Sequence, residues 1–368
     1  MFTFHVLGVP HAVFDETYSA CAFSKNALTF AKQMKDNGHM VYLYGNEKST
    51  IRPCDKFINT VSSEYYDDFF KTASHPVLRC QGDEPIHELH CAIVIQNLLI
   101  HAKPNDFVVH FWPDTRIVQE TPKLIHVDGG IGNTRLPICP NNIYETYAVH
   151  HTCLGLSQKN ANAYDAVIPS PYDESLFEFN SIPQNYILFM ARLNWDKGVD
   201  VAVSACRAAN VLLKIAGQGT PPVGPGIEYQ GVVGYQKRKE LMMNAKALIL
   251  PTLYTEPYGN VTIEAMACGT PIITTDWGCF TENNIHGITG FRCRTMGDFV
   301  WALRNIDTID RKKVFEFAKN NFSMEAVYPK RLAYFKRLHG LHTGASDYYT
   351  IDPDQKGIIL SEKYYPLN

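Results

Sequence analysis

A chain of 368 residues, 45% apolar and 19% charged, is too long for one ordinary core and too apolar for disorder, so two globular domains are expected. Its net charge of −3 supplies no global basic field, so nucleic acid is a disfavoured partner, with a local patch left open. The 10 cysteines are scattered without a C-x-x-C pair, which signals neither a zinc site nor a redox dithiol and fits reduced thiols in a cytoplasmic chain. No run approaches ~18 apolar residues, so no transmembrane segment is expected. The opening MFTFHVLGVPH lacks the basic start of a signal peptide.

In chain order, residues 2–8 read as a strand, 9–19 as a loop and 21–37 as a helix that Gly38 ends, with 39–44 as the next strand. Residues 52–80 are aromatic and irregular. Tyr65, Tyr66, Phe69 and Phe70 fit a helix packing its aromatic face on the sheet, and a platform for an acceptor sugar is the alternative. Asp83 is placed to cap a long helix reaching residue 101, with Pro85 in its first turn. Strands follow at 107–111 and 123–127, and His126-Val127-Asp128-Gly129-Gly130 has the form of a strand end and glycine loop. His150 and His151 read as strand neighbours pointing to opposite faces, a poor bidentate metal site. Residues 166–170 form a further strand, and the polar stretch 180–185, with Pro183, serves as the linker.

Beyond it the alternation is clean: strand 186–191, helix 199–209, strands 211–216 and 227–233, helix 236–245, strand 247–251. Such alternation implies a parallel sheet with right-handed crossovers. Helices are expected at 298–303, 310–320 and 324–339, ahead of a tyrosine-rich tail, 340–368. Asp352-Pro353-Asp354 is formally an Asp-x-Asp, but it stands in the tail outside any strand-end loop. No metal ligand set is assigned.

The chemistry concentrates in residues 254–290. Asn260 suits an N-cap, 261–268 a short helix and Gly269 its C′ position, and Pro271 precedes a strand at 272–275. Glu256 and Glu264 stand eight positions apart. Gly259 permits close approach of the backbone to a ligand, and the free N–H groups near Asn260 and Val261 attract an anion. Two hydroxyl acceptors flanking an anion cradle suit a nucleotide sugar. A solvated loop glutamate and an ordinary helix glutamate are the plain alternative.

Upstream, ILFMARLNWDKGVD places Arg192 and Lys197-Gly198 after a strand, and LLKIAGQG ends in the turn Gly217-Gln218-Gly219. This order, with Glu256, Glu264, Glu282 and Gly287–Gly290, resembles the C-terminal half of the retaining family 4 glycosyltransferases. The resemblance implies an α/β chain of GT-B fold, two Rossmann-like domains facing across a cleft. They comprise an acceptor-binding domain (1–180), a nucleotide-sugar domain (181–322) and a helix and tail (323–368) returning to the first.

It implies transfer from a nucleotide-diphosphate sugar to a glycan or other hydroxyl acceptor, with retention and no metal or other cofactor. Arg192 and Lys197 stabilise the departing diphosphate, together with the helix start at Gly259, Asn260 and Val261. Glu256 holds sugar hydroxyls, Glu264 the ribose, Gly217 and Gly219 the close turn, and Val233 lies where the base is met through backbone. On the first domain the resemblance puts a histidine in the sugar pocket, matched by His126 with His110 second. Its acceptor-side loop matches Gly8 and His11, although Gly8-Val9-Pro10-His11 departs from the family's adjacent glycines. No nucleophilic carboxylate is found in the first domain, so a same-face mechanism is expected, the leaving phosphate taking the acceptor proton. Transfer to a hydroxylated DNA base, or a non-catalytic nucleotide or glycan binder on the same scaffold, are the alternatives.

Overall fold

Continuous apolar runs bury on both faces when they form parallel strands, and amphipathic helices cover them. The computed structural model describes residues 1–15, 21–71, 84–132, 136–158 and 164–345. There this pattern builds two all-parallel sheets. The first contains β1 (Thr3–Leu7), β2 (Met40–Asn46), β3 (Lys56–Val61), β4 (Phe107–His110), β5 (Ile125–Ile131), β6 (Asn141–Tyr144) and β7 (Asp165–Val167). Their spatial order is β3-β2-β1-β4-β5-β6-β7. The second contains β8 (Ile187–Met190), β9 (Leu213–Ala216), β10 (Ile227–Tyr229), β11 (Ala247–Leu250), β12 (Ile272–Thr275) and β13 (Gly290–Cys293), ordered β10-β9-β8-β11-β12-β13. In each sheet the order of strand addition reverses once, between β1 and β4 and between β8 and β11. Such switch points open a crevice at the strands' carboxyl ends.

The helices of the first half are α1 (Ala22–Asp36), α2 (Ser63–Phe70), α3 (Pro85–His101), α4 (Thr115–Glu120) and α5 (Tyr147–Ser157). Those of the second are α6 (Val199–Ala209), α7 (Tyr235–Asn244), α8 (Asn260–Ala267), α9 (Phe280–Asn283), α10 (Met296–Asn305) and α11 (Arg311–Phe322). The last, α12 (Met324–Thr343), packs on the first sheet: Phe335 and Leu338 join the core of Phe4, Val6, Phe30 and Phe107. Arg331 is buried in that contact and donates to Gln33 Oε1 at 2.8 Å, and the Tyr334 hydroxyl donates to Tyr164 O at 2.8 Å. A separate core of Leu188, Phe189, Ile215, Ile249, Ile263 and Ile273 holds the second sheet.

Several elements differ from expectation. Part of the stretch read as irregular is strand β3, and Tyr66 and Phe70 of α2 are buried as packing residues. Asp83 and Cys80 lie outside the described residues, and Glu84 is the N-cap of α3, with Pro85 opening the helix. Residues 150 and 151 sit on α5, whose N-cap Thr146 accepts from Val149 N at 3.2 Å, so they are helix neighbours and not strand neighbours. The strand expected at 227–233 stops at Tyr229, because Gly231 turns the chain with φ +79°. The strand at 166–170 is confined to Asp165–Val167. Asp352 and Asp354 lie outside the described residues.

Candidate functional site

The carboxyl ends of both sheets open on one cavity of about 900 Å³. Met190 and Ala191 reach it from β8, Ala216 and Gly217 from β9, Leu250 from β11, Gly130 and Gly132 from the end of β5, and Glu145 from the residue after β6. Lys25 and Asn26 project into it from the first turn of α1.

The second-domain wall is set by backbone geometry. Gly259 caps α8 with φ +73°, a left-handed conformation that glycine adopts without a Cβ penalty. Asn260, expected as the cap, is therefore the first helical residue, and the helix ends at Cys268 and Gly269 (φ +78°). First-turn N–H groups have no intrahelical acceptor, so Asn260 and Val261 bring anion-binding amides to the cavity they line. Gly217 has φ +146°, and a Cβ there would lie 1.8 Å from Ala191 O, so the turn after β9 can press against the end of β8 only as glycine.

Two carboxylates flank this helix start. Glu256 is buried, 7% exposed. Its Oε2 accepts from Lys197 Nζ at 2.7 Å and from the Tyr254 hydroxyl at 2.6 Å, and its Oε1 has no hydrogen-bond partner among the described residues. Lys197 also donates to the Tyr254 hydroxyl. Burial, and then the Glu256 charge, push the Tyr254 phenol well above its ordinary range, so it stays a donor.

Glu264 is 1% exposed. Its Oε1 accepts from Lys25 of the first domain and its Oε2 from the Arg238 guanidinium, with Nε at 2.7 Å. Burial opposes its ionisation, but Arg238 and Lys25 outweigh burial and hold the carboxyl below its usual range. A carboxylate offers about four acceptor positions, and three donors already meet this one. Arg192 lines the cavity, is exposed, and makes no hydrogen bond or ion pair among the described residues.

The domains also clasp at the cavity's edge. Thr146 Oγ1 donates to Pro257 O at 2.6 Å, and the Tyr258 hydroxyl donates to Ser170 O. The Glu282 carboxylate accepts from Tyr147 N at 2.9 Å and Ala148 N at 2.8 Å. An anion from one domain thus sits on the helix N-terminus of the other.

Of the residues expected from sequence, Arg192, Lys197, Glu256, Glu264, Gly217, Val233, Gly259, Asn260 and Val261 line the cavity together. Gly219 does not: it has φ +132° and packs over Leu193. His126 is corrected. It is 2% exposed, within β5. Its Nδ1 meets His110 Nε2 at 3.0 Å and its Nε2 lies 2.9 Å from Thr121 O. Side chains alternate along a strand, and this one turns into the layer that holds Thr121, away from the cavity.

Gly8 and His11 do not line this cavity. A Cβ at Gly8 would lie 2.7 Å from both Phe14 Cζ and Tyr44 O, so Gly8 serves packing. His11 Nδ1 meets His87 Nε2 at 3.3 Å, and burial lowers its pKa to about 4. Sequence reasoning missed Lys25, Arg238, Tyr254 and Glu145. Tyr254, two residues before Glu256, was findable. Lys25 and Arg238 meet Glu264 across 239 and 26 positions, and no local pattern announces either. Among the described residues no group of three or more His, Cys, Asp or Glu could hold a metal ion, and no helix is long and apolar enough to cross a membrane.

Residues 173–306 match the family described as glycosyl transferases group 1. The chain is 31% identical over 138 residues to glycogen synthase of Mycobacterium tuberculosis, a stretch covering 33% of each. It is 30% identical over 122 residues to an uncharacterized glycosyltransferase of Methanocaldococcus jannaschii, 29% of this chain and 31% of that one. The match thus spans about a third of these relatives' length. Sucrose-phosphate synthase from Thermosynechococcus elongatus superposes with TM-score 0.69 at 16% identity, over 94% of this chain and 100% of that one. Anabaena HepE, solved with UDP and glucose, gives 0.65 at 12% identity, over 92% and 100%. These likenesses show the GT-B fold.

Proposed function

We propose that this chain, whose residues 173–306 match the group 1 glycosyl transferases, moves a sugar from a nucleotide-diphosphate sugar to a hydroxyl acceptor with retention of configuration. One observation carries the reading: Arg192, Lys197, Glu256, Glu264 and the start of α8 converge on one cavity between two parallel-sheet domains. The uncharged backbone donors at Asn260 and Val261, with the Arg192 and Lys197 cations, suit a diphosphate whose charge grows as the glycosidic bond breaks. Arg192, free of an ion-pair partner among the described residues, is the cation best placed to respond to that charge. Lys197 already shares its own with Glu256.

Glu256 Oε1 is then the acceptor for a donor-sugar hydroxyl, with Lys197 and Tyr254 fixing the carboxylate's orientation through Oε2. Glu264 has room for one further donor, a ribose hydroxyl. The acceptor oxygen attacks the anomeric carbon as the carbon–oxygen bond to phosphate breaks. The diphosphate keeps the bonding pair, and its oxygen receives the acceptor proton on the same face. Arginine, lysine and amides together provide the charge stabilisation a divalent ion provides elsewhere, so turnover should not need a metal.

The test is a screen of UDP-, GDP- and ADP-sugars read by released nucleotide, with and without EDTA. Solved relatives such as HepE were captured with UDP, so UDP-glucose goes first. Release with EDTA present, and a product of unchanged anomeric configuration by NMR, are expected. Failure with every donor sinks the reading. Loss with EDTA and recovery with manganese removes metal independence.

A further inference from the structure

Among the described residues, Glu145 is the one acidic side chain that the first domain contributes to the cavity. From sequence no nucleophilic carboxylate is found in this domain, and Glu145 is not singled out. Its Oε1 is fixed from two sides: Asn26 Nδ2 donates to it at 2.9 Å and Ser170 Oγ donates from the segment after β7. Oε2 accepts no hydrogen bond among the described residues. It lies beside Gly132, where a Cβ would come within 2.2 Å of it. The backbone of Gly132 is not left-handed, so glycine is needed there for space alone. That space belongs to the cavity both residues line. Phe23 and Trp112 line the same wall, their rings edge to face at 5.0 Å, and offer an apolar surface.

We propose that Glu145 binds the acceptor, with Oε2 accepting a hydrogen bond from one of its hydroxyls, and that the acceptor is a neutral sugar or polyol. This assignment rests on the transferase reading above. A fixed carboxylate orients a hydroxyl and repels a phosphate or carboxylate on the incoming molecule. Phe23 and Trp112 suit the C–H face of a sugar ring. The groups facing Glu145 are Asn26 and Lys25 from α1, Ser170, Arg331 from α12, and Cys279 before α9. Neither cation is ion-paired with Glu145: Lys25 is engaged by Glu264, and Arg331 bonds Gln33. Burial raises the carboxyl's pKa to about 7, so its charge, and with it the grip on the hydroxyl, changes near neutrality.

The experiment measures transfer to maltose, methyl α-glucoside and glycerol by wild type and Glu145→Gln, using the donor found in the screen. Glutamine keeps an oxygen for Asn26 and Ser170 and removes the acceptor charge at Oε2. Above about pH 8, where Glu145 is ionised, acceptor KM is expected to rise roughly 10- to 150-fold, as for a lost charged hydrogen bond, with donor KM unchanged. Wild-type acceptor KM should also climb as pH falls below about 7, since protonated Glu145 is the weaker acceptor, and the variant should lack that limb.

Equal acceptor KM in both proteins, or a loss carried by donor KM, overturns the assignment while leaving the transferase reading intact. Absence of nucleotide release from every nucleotide sugar by wild type overturns both. If the donor is hydrolysed but none of the three probes is glycosylated, glycerol-soaked crystals decide. Glycerol on Oε2 in wild type and not in Glu145→Gln supports the proposal, and an unoccupied Oε2 in wild type overturns it.

Discussion

The two walls of the cleft were unequally visible. On the second domain, every side chain expected to act (Arg192, Lys197, Glu256 and Glu264) lines the cavity. On the first domain, the expected Gly8, His11 and His126 serve packing or internal hydrogen bonds, and Lys25, Asn26 and Glu145 face the cavity in their place. The difference teaches where local pattern has authority. The second wall is built from turns whose geometry allows few residues: a left-handed glycine before a helix and a glycine pressed on a neighbouring strand. The first wall is built from side chains on ordinary helix starts and strand ends, positions that tolerate many residues.

Removing Glu264 should have the largest effect, because it strikes both walls at once. Lys25 would be left buried, and Arg238 partly buried, without their shared anion, at a cost of about 3–5 kcal/mol. Glu264→Ala is therefore expected to lower the denaturant midpoint sharply and raise donor KM. Unchanged stability would mean that the ion pair across the cleft does not hold in solution.

Next in size is Arg192→Ala. A cation acting on charge that grows in the transition state should be missed in kcat, by about 100- to 1000-fold. Lysine should restore part of that loss, since it returns a charge without the planar fork. A change confined to donor KM would make Arg192 a ground-state anchor.

Glu145 sharpens the contrast through pH. Between the ordinary 4.5 and its raised value of about 7, the native carboxyl keeps a proton that the unfolded chain has released. Stability therefore falls as pH rises through that window, by up to about 3 kcal/mol. The Glu145→Gln variant should be flatter than wild type over the same range in denaturant unfolding, and parallel curves would show that Glu145 titrates normally. Smallest, on catalysis, is His126→Ala. It breaks contacts with His110 and Thr121, so the melting temperature should fall while kcat and donor KM hold. A large loss in kcat would return His126 to the site.

Alternation of apolar strands with amphipathic helices was enough to read the second parallel sheet, because burial on both faces leaves a strand no polar positions to spare, while the first sheet was implied by the family resemblance. The linear order of Arg192, Lys197, Gly217, Glu256 and Glu264, read through its resemblance to the family 4 glycosyltransferases, placed the second-domain wall, since the segments that carry these residues follow strands' carboxyl ends and such ends meet in one crevice. Strand β6 was invisible, because Asn141 and Asn142 carry a turn's composition inside a buried strand. Register decided that His126 faces Thr121. Packing of one domain on the other decided that Lys25 shares Glu264 with Arg238, that Glu282 sits on the amides of α5, and that the oxygens of Glu145 reach the cavity. Propensity and turn geometry act over a few residues and can be read along the chain. The charge environment of a carboxylate is a sum over neighbours hundreds of positions away, and only the tertiary structure assembles that sum.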